Sequence, residues 1–228
     1  MDSRSIRRLE TFLALRRQPR PRFRISLVRL DPTNGNVRLV GDLGVSGSDI
    51  GFDSHGTLFI WLPATSQLGK VDLKTGAVTK IGRARGAMAV KGGFAVNAAG
   101  GAFVAGSGAK GTLDTVDLQT GNVVASVPFT GARYPALING LASSFGTSLL
   151  GVNTDGGTPS LADLVKIDIG TGSLTVIGPL PNDTDALAFA PTGGGNAWDL
   201  NRGRSLLFAV LVVLAIGALI FSRKWFRS

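Results

Sequence analysis

Four aspartates recur along the chain at intervals of 41, 45 and 51 residues: Asp31, Asp72, Asp117 and Asp168. A glycine follows each four positions later, at Gly35, Gly76, Gly121 and Gly172. Carboxylates in such numbers could serve acid–base or metal chemistry, but only if they converge on one cleft. A repeated local setting predicts the opposite, because each copy of a unit carries its own aspartate to a different place around the molecule. The turn chemistry of the pair is the better reading. Aspartate accepts hydrogen bonds from backbone amides two residues on, and glycine supplies the positive φ that closes a type I turn with a G1 bulge. These eight residues are therefore assigned as structural turn residues, and no catalytic, cofactor-binding or metal-ligating set is assigned.

The remaining chemistry-bearing residues are sparse. His55, the only histidine, sits in the turn Asp53-Ser54-His55-Gly56, and with Asp49 and Asp53 it makes too thin a set for a metal. There is no cysteine, so thiol nucleophiles, thiolate ligands and disulfides are excluded. The glycine-rich run Gly101–Gly111 ends near Lys110 but lacks the spacing of a phosphate loop, and it reads as a turn between units. Phe59, Trp61, Phe103 and Trp198 are expected in the core rather than stacked on sugars.

The elements that carry the aspartates are two alternating hairpins. One reads LVRLDPTNGNVRLVG from Leu27, LGKVDLKTGAVTKIG from Leu68, LDTVDLQTGNVVASV from Leu113 and LVKIDIGTGSLTVIG from Leu164. Apolar and other residues alternate before each aspartate, as a strand with one buried face requires. The other begins at Ile50, Gly93, Leu141 and Leu187, and places a glycine-containing turn between two apolar runs. Together they give four strands per unit of about 40–50 residues, the length of a propeller blade. The expected fold is all-β: a β-propeller-like repeat domain of about four blades over residues 23–200. Residues 24–41 and 184–200 would complete one blade from the two ends of the domain and remove free sheet edges. A rival expectation is an incomplete ring, part of a longer propeller.

The unit L-x-x-[IV]-D-x-x-T-G-x-[VL]-x-x-[IV]-G, carried by Val71, Asp72, Thr75, Gly76 and Ile81 and by Ile167, Asp168, Thr171, Gly172 and Ile177, resembles the repeats of uncharacterised, usually exported bacterial propellers of YVTN and quinoprotein-like style. The resemblance implies a propeller over about residues 24–200 and says little about activity. The first repeat departs from it at Asn34, and the third at Pro128 with a one-residue shift.

Net charge is +9, carried on the tails. Residues 1–30 hold nine Arg and two acids, residues 201–228 four Arg and one Lys, and residues 31–200 ten basic residues against thirteen Asp. A mildly acidic body argues against nucleic acid as partner, and basic tails suit an anionic lipid surface. Residues 201–228 are expected to hold one transmembrane helix at about 205–222 with a short basic tail. The eighteen uncharged residues SLLFAVLVVLAIGALIFS reach roughly 27 Å, close to a ~30 Å hydrocarbon core. Charge bias across this span places the body on the extracytoplasmic side of a single-pass membrane protein. Residues 1–22 are expected to be an unordered basic arm or a short amphipathic helix, with Ile6, Leu9, Phe12 and Leu13 on one face. The expected function is a membrane-anchored binding or scaffold domain for a protein or glycan partner, without cofactor. The alternatives are a lactonase- or quinoprotein-like propeller enzyme, or a truncated propeller without activity of its own.

Overall fold

The computed structural model describes residues 12–17, 25–31, 34–86, 92–97, 99–106, 111–134, 137–143 and 148–187. The expected membrane span and the fourth copy of the second hairpin beyond Leu187 lie outside the described residues. Among the described residues no helix is long and apolar enough to cross a membrane.

Among the described residues fifteen strands form four antiparallel sheets. The first sheet takes β1 (Phe12–Arg17), β2 (Ile25–Leu30) and β3 (Val37–Asp42) in that order. The second takes β4 (Ile50–Phe52), β5 (Leu58–Leu62), β6 (Gln67–Val71) and β7 (Val78–Ile81). The third takes β8 (Phe94–Val96), β9 (Ala102–Ala105), β10 (Thr112–Val116) and β11 (Val123–Pro128). The fourth takes β12 (Ile138–Ser143), β13 (Ser148–Thr154), β14 (Ala162–Asp168) and β15 (Leu174–Leu180). Each strand pairs with its neighbour in sequence, so every sheet is a meander, and the first strands of successive four-stranded sheets lie against one another. This is a propeller-like arrangement.

Apolar packing runs between sheets, as it must when each thin sheet has two faces and only its siblings to cover them. Leu27 and Leu43 of the first sheet region pack with Leu58, Ile60 and Val71 of the second. Phe59, Trp61 and Leu68 pack with Phe94, Val104 and Val116 of the third. Phe103 and Leu113 pack with Leu141, Leu149 and Ile167 of the fourth. Phe59, Trp61 and Phe103 are thus core residues, as their pattern predicts; Trp198 lies outside the described residues. The three clusters join four sheets in series. Among the described residues no hydrophobic cluster joins the fourth sheet to the first, and the chain leaving the fourth sheet passes over β12, where Ala186 would lie 3.0 Å from a Cβ on Gly140.

Three sequence-based expectations change. Residues 12–17, within the arm expected to be unordered or helical, form a strand: β1 pairs with β2 from Phe12↔Leu30 to Arg17↔Ile25. Leu13 and Leu15, two apart, face the core beside Leu27, so a period of two wins over the helical face drawn through Ile6, Leu9 and Phe12. That strand occupies the place beside β2 that completion of the blade by residues 184–200 would need. β9, at the start of the Gly101–Gly111 run, and β10, which begins just after it, are neighbours in one sheet, so the run does not join two units. The Asp–Gly turns also differ from the type I turn with a G1 bulge, because each closes from glycine to the aspartate four residues before it.

Candidate functional site

Each repeat turn is a four-residue loop. The amide of Gly76 donates to the carbonyl of Asp72 at 2.8 Å, and the amide of Asp72 donates to the carbonyl of Ala77 at 2.9 Å. The same pairs recur at Asp31/Gly35, Asp117/Gly121 and Asp168/Gly172, and all four glycines have positive φ, between 69° and 77°. An i to i+4 closure with left-handed glycine in the fourth place makes this an α-turn hairpin. The three-residue form with a G1 bulge occurs in the second hairpin, where Gly56 bonds back to Asp53 and Gly100 to Asn97.

The turn carboxylates are spent on this geometry. Asp72 accepts from the amides of Lys74 and Thr75, and those bonds hold its carboxyl below the ordinary range. Asp117 accepts from the hydroxyl and amide of Thr120, Asp168 from the hydroxyl and amide of Thr171, with the same consequence. Each threonine hydroxyl also accepts the amide two residues on. In the first repeat Asn34 replaces threonine without loss of the scheme: its amide group donates to Asp31, and its carbonyl accepts from the amide of Asn36. The four aspartates sit on four separate sheets and converge on no cleft.

Three of these four glycines also meet the preceding sheet. A Cβ on Gly76 would lie 2.9 Å from the carbonyl oxygen of Gly41, and one on Gly121 would lie 2.8 Å from the carbonyl oxygen of Ile81. One on Gly172 would strike the carbonyl of Pro128. Backbone bonds add to the last contact: the amide of Thr130 donates to Gly172, and that of Leu174 to Thr130. Arg85 reaches from the second sheet's exit to the carbonyl of Gly121 and the side chain of Asn122. Gly35 is the exception, with no described atom within 4 Å of a Cβ there.

The group most perturbed from its ordinary behaviour is Asp49, just before β4. In the sequence it stands only as a thin candidate for a metal set with Asp53 and His55. Its Oδ1 accepts from the amide of Ile50 at 2.9 Å and its Oδ2 from the amide of Phe94 at 3.2 Å, and the amide of Leu141 bonds to it as well. One carboxyl thus ties the first strands of three successive sheets. The residue keeps some exposure, yet its carboxyl is enclosed, and desolvation pushes it up to about 7 against the pull of these amides; Asp185 adds a smaller like-charge push. Nothing in the local sequence announces this, because the enclosure is made by strands 45 and 92 positions away. His55 is exposed, its amide donating to Asp53 at 2.9 Å, and it does not join Asp49. No group of three metal-ligating side chains occurs among the described residues.

A second polar cluster lies in the fourth sheet. Buried Asn153 accepts from the amide of Tyr134 and donates to the carbonyls of Tyr134 and Leu137. Asp163, paired with Asn153 across β13 and β14, is 1% exposed and has Arg133 at 3.6 Å. This network fastens the entry to β12.

No protein-family model matches the chain, and no curated protein does. Solved structures do resemble it. TolB from Acinetobacter baumannii is 15% identical with a TM-score of 0.50 over 81% of this chain and 44% of TolB. An α-L-arabinofuranosidase from Clostridium thermocellum is 12% identical, TM-score 0.53, over 75% of this chain and 68% of the enzyme. A Bacteroides thetaiotaomicron protein of unknown function is 12% identical, TM-score 0.50, over 79% of this chain and 51% of that one. The chain therefore spans about half the length of two of these three. At such identities the likeness shows the fold alone, an all-β, propeller-like arrangement of four-stranded antiparallel sheets.

Proposed function

We propose that this chain is a membrane-anchored, propeller-like binding or scaffold domain, held to the bilayer through residues 205–222 with its body on the extracytoplasmic side. The observation that carries this reading is where the acidic groups go. The carboxyls of Asp72, Asp117 and Asp168 are held by backbone amides of their own turns, and that of Asp49 by amides of three strands. They fasten a frame rather than face a substrate. A propeller so built offers its faces and rim to a protein or glycan partner.

A second reading, catalysis, has one observation in its favour. A carboxyl that titrates near neutrality can exchange protons with a substrate, and Asp49 has Asp185 within electrostatic reach. The glycosidase among the similar structures makes an arabinofuranoside the natural probe. The full chain in lipid nanodiscs, titrated with a protein and oligosaccharide panel and incubated with a chromogenic arabinofuranoside, separates the two readings. Saturable binding without turnover supports the scaffold. Turnover that Asp49→Asn abolishes while thermal unfolding stays cooperative supports the enzyme and overturns the scaffold. Carbonate extraction tests the anchor: the full chain stays with the membrane, and a chain lacking residues 205–222 is released.

A further inference from the structure

Among the described residues the first sheet is one strand short, and the strand it lacks is its first. In the other three sheets the Asp–Gly turn joins the third strand to the fourth; in the first sheet it joins β2 to β3. β1 therefore stands where β5, β9 and β13 stand, and no described strand stands where β4, β8 and β12 do.

Those three first strands pack in series through one recurring contact. Asp49, Gly93 and Gly140 hold equivalent places, just before Ile50, Phe94 and Leu141, which pair with Ile60, Val104 and Gly151 of the second strands. The carboxyl of Asp49 accepts from the amide of Phe94. A Cβ on Gly93 would lie 2.5 Å from the amide nitrogen of Leu141. A Cβ on Gly140 would lie 3.0 Å from the α-carbon of Ala186 and 3.3 Å from the amide nitrogen of Leu187. Residues 186–187 thus take, against β12, the place that β12 takes against β8. The series then returns to its start, because Asp185 is within electrostatic reach of the Asp49 carboxyl. Leu187 also opens LAFAP, the fourth copy of the hairpin that supplies β4, β8 and β12.

The two end sheets are covered on their outward faces as well. Leu27 turns toward the second sheet, yet Ser26 and Val28, on the opposite face of β2, are 1% and 4% exposed. Leu149 turns toward the third sheet, yet Val152, Thr154 and Ala162, on the opposite face of the fourth, are buried. Val28 and Val152 belong to none of the three intersheet clusters. The outer contact of the other junctions is not made here, since neither Gly35 nor Gly178 has a described atom within 4 Å of a Cβ. The inner strands are what remains to join the fourth sheet to the first.

We propose that residues 187–190 lie antiparallel to β1 as the first strand of the first sheet, joining the two ends of the body into a ring of four four-stranded sheets. β1 already fills the second place, so the segment pairs with its free edge as a single strand and not as a hairpin. The other sheets set the register. Ile60, Val104 and Gly151 each pair onward with a residue three places before the turn aspartate, and in the first sheet Ala14 does the same through Val28. Leu187 thus falls opposite Ala14, as Ile50 falls opposite Ile60.

The native chain has no cysteine, so an engineered pair reads that register cleanly. Ala14→Cys/Leu187→Cys is prepared as the full chain in mild detergent and treated with a short bismaleimide. The expected product is an intramolecular cross-link, unchanged in yield on hundredfold dilution. Its yield is at least tenfold above that of Ala14→Cys/Ile177→Cys, whose second cysteine lies on the outer strand β15. Hydrogen exchange of the native chain needs no substitution. Amides of residues 187–190 are expected to exchange at least tenfold more slowly than in the denatured chain. Three results overturn the proposal: no cross-link in a variant whose circular dichroism matches the native chain, a cross-link lost on dilution, which gives the β1 edge to another copy, or exchange at residues 187–190 as fast as in the denatured chain. Should the paired variant misfold, hydrogen exchange decides alone.

Discussion

Gly76 lies against the carbonyl of Gly41, so close that a methyl group on it would stand 2.9 Å from that oxygen. The two residues belong to different sheets, and their contact recurs at the next two junctions. One glycine thus does two jobs: its left-handed φ closes a hairpin, and its missing side chain lets one sheet seat on another.

Asp49 makes stability fall with pH across a window where most proteins are indifferent. Its folded value is raised to about 7 from 3.8, so the folded state holds the proton that the unfolded state gives up. Its contribution is fully present below about pH 4, declines as pH rises, and is lost above about pH 7. Denaturant midpoints of the native chain are expected to drop between pH 4 and pH 7. Asp49→Asn flattens the profile over that window. A profile unchanged by the substitution would refute the assignment.

The turn aspartates act in the opposite sense. The folded values of Asp72, Asp117 and Asp168 are lowered by bonds from their own turns, so their contribution is present above the ordinary carboxylate range and lost as pH falls below it. Replacing all three by alanine is expected to lower stability at neutral pH and to blunt the loss on acidification below about pH 4. Urea titrations at pH 7 and pH 3 measure both effects.

Burial separates two phenylalanines on neighbouring first strands. Phe94 is fully buried between the second and third sheets, whereas Phe52 is 44% exposed. Phe94→Ala is expected to cost about 3–5 kcal/mol. Phe52→Ala is expected to cost about 1 kcal/mol or less. Equal losses in denaturant unfolding would mean that Phe94 does not fill an intersheet core.

The strands and their turns were legible because each is decided locally. Alternation fixes which residues of Leu68–Val71 face inward, and the Asp72–Gly76 spacing fixes where the chain reverses. The kind of turn was less legible, since three- and four-residue loops both place glycine left-handed. β1 was missed because Leu13 and Leu15 fit either period over so short a stretch, and pairing with β2 decides between them. Asp49 was illegible as a special group because its surroundings, Phe94 and Leu141, come from other sheets. Closure was illegible for the same reason: it depends on how far each junction turns one sheet from the next, which no residue spacing encodes.

Among the described residues each Asp–Gly turn except the first is seated on the sheet before it. Chemical denaturation of Gly35→Ala, Gly76→Ala and Gly121→Ala, at protein concentrations too low for association, tests it most directly. All three glycines share a left-handed φ near 70° to 77°, so each substitution carries a backbone cost of about 1 kcal/mol. Gly35→Ala is expected to cost no more than that, while Gly76→Ala and Gly121→Ala lose a further 1–3 kcal/mol from the clash with Gly41 and Ile81. Three equal losses would contradict the seated-turn account.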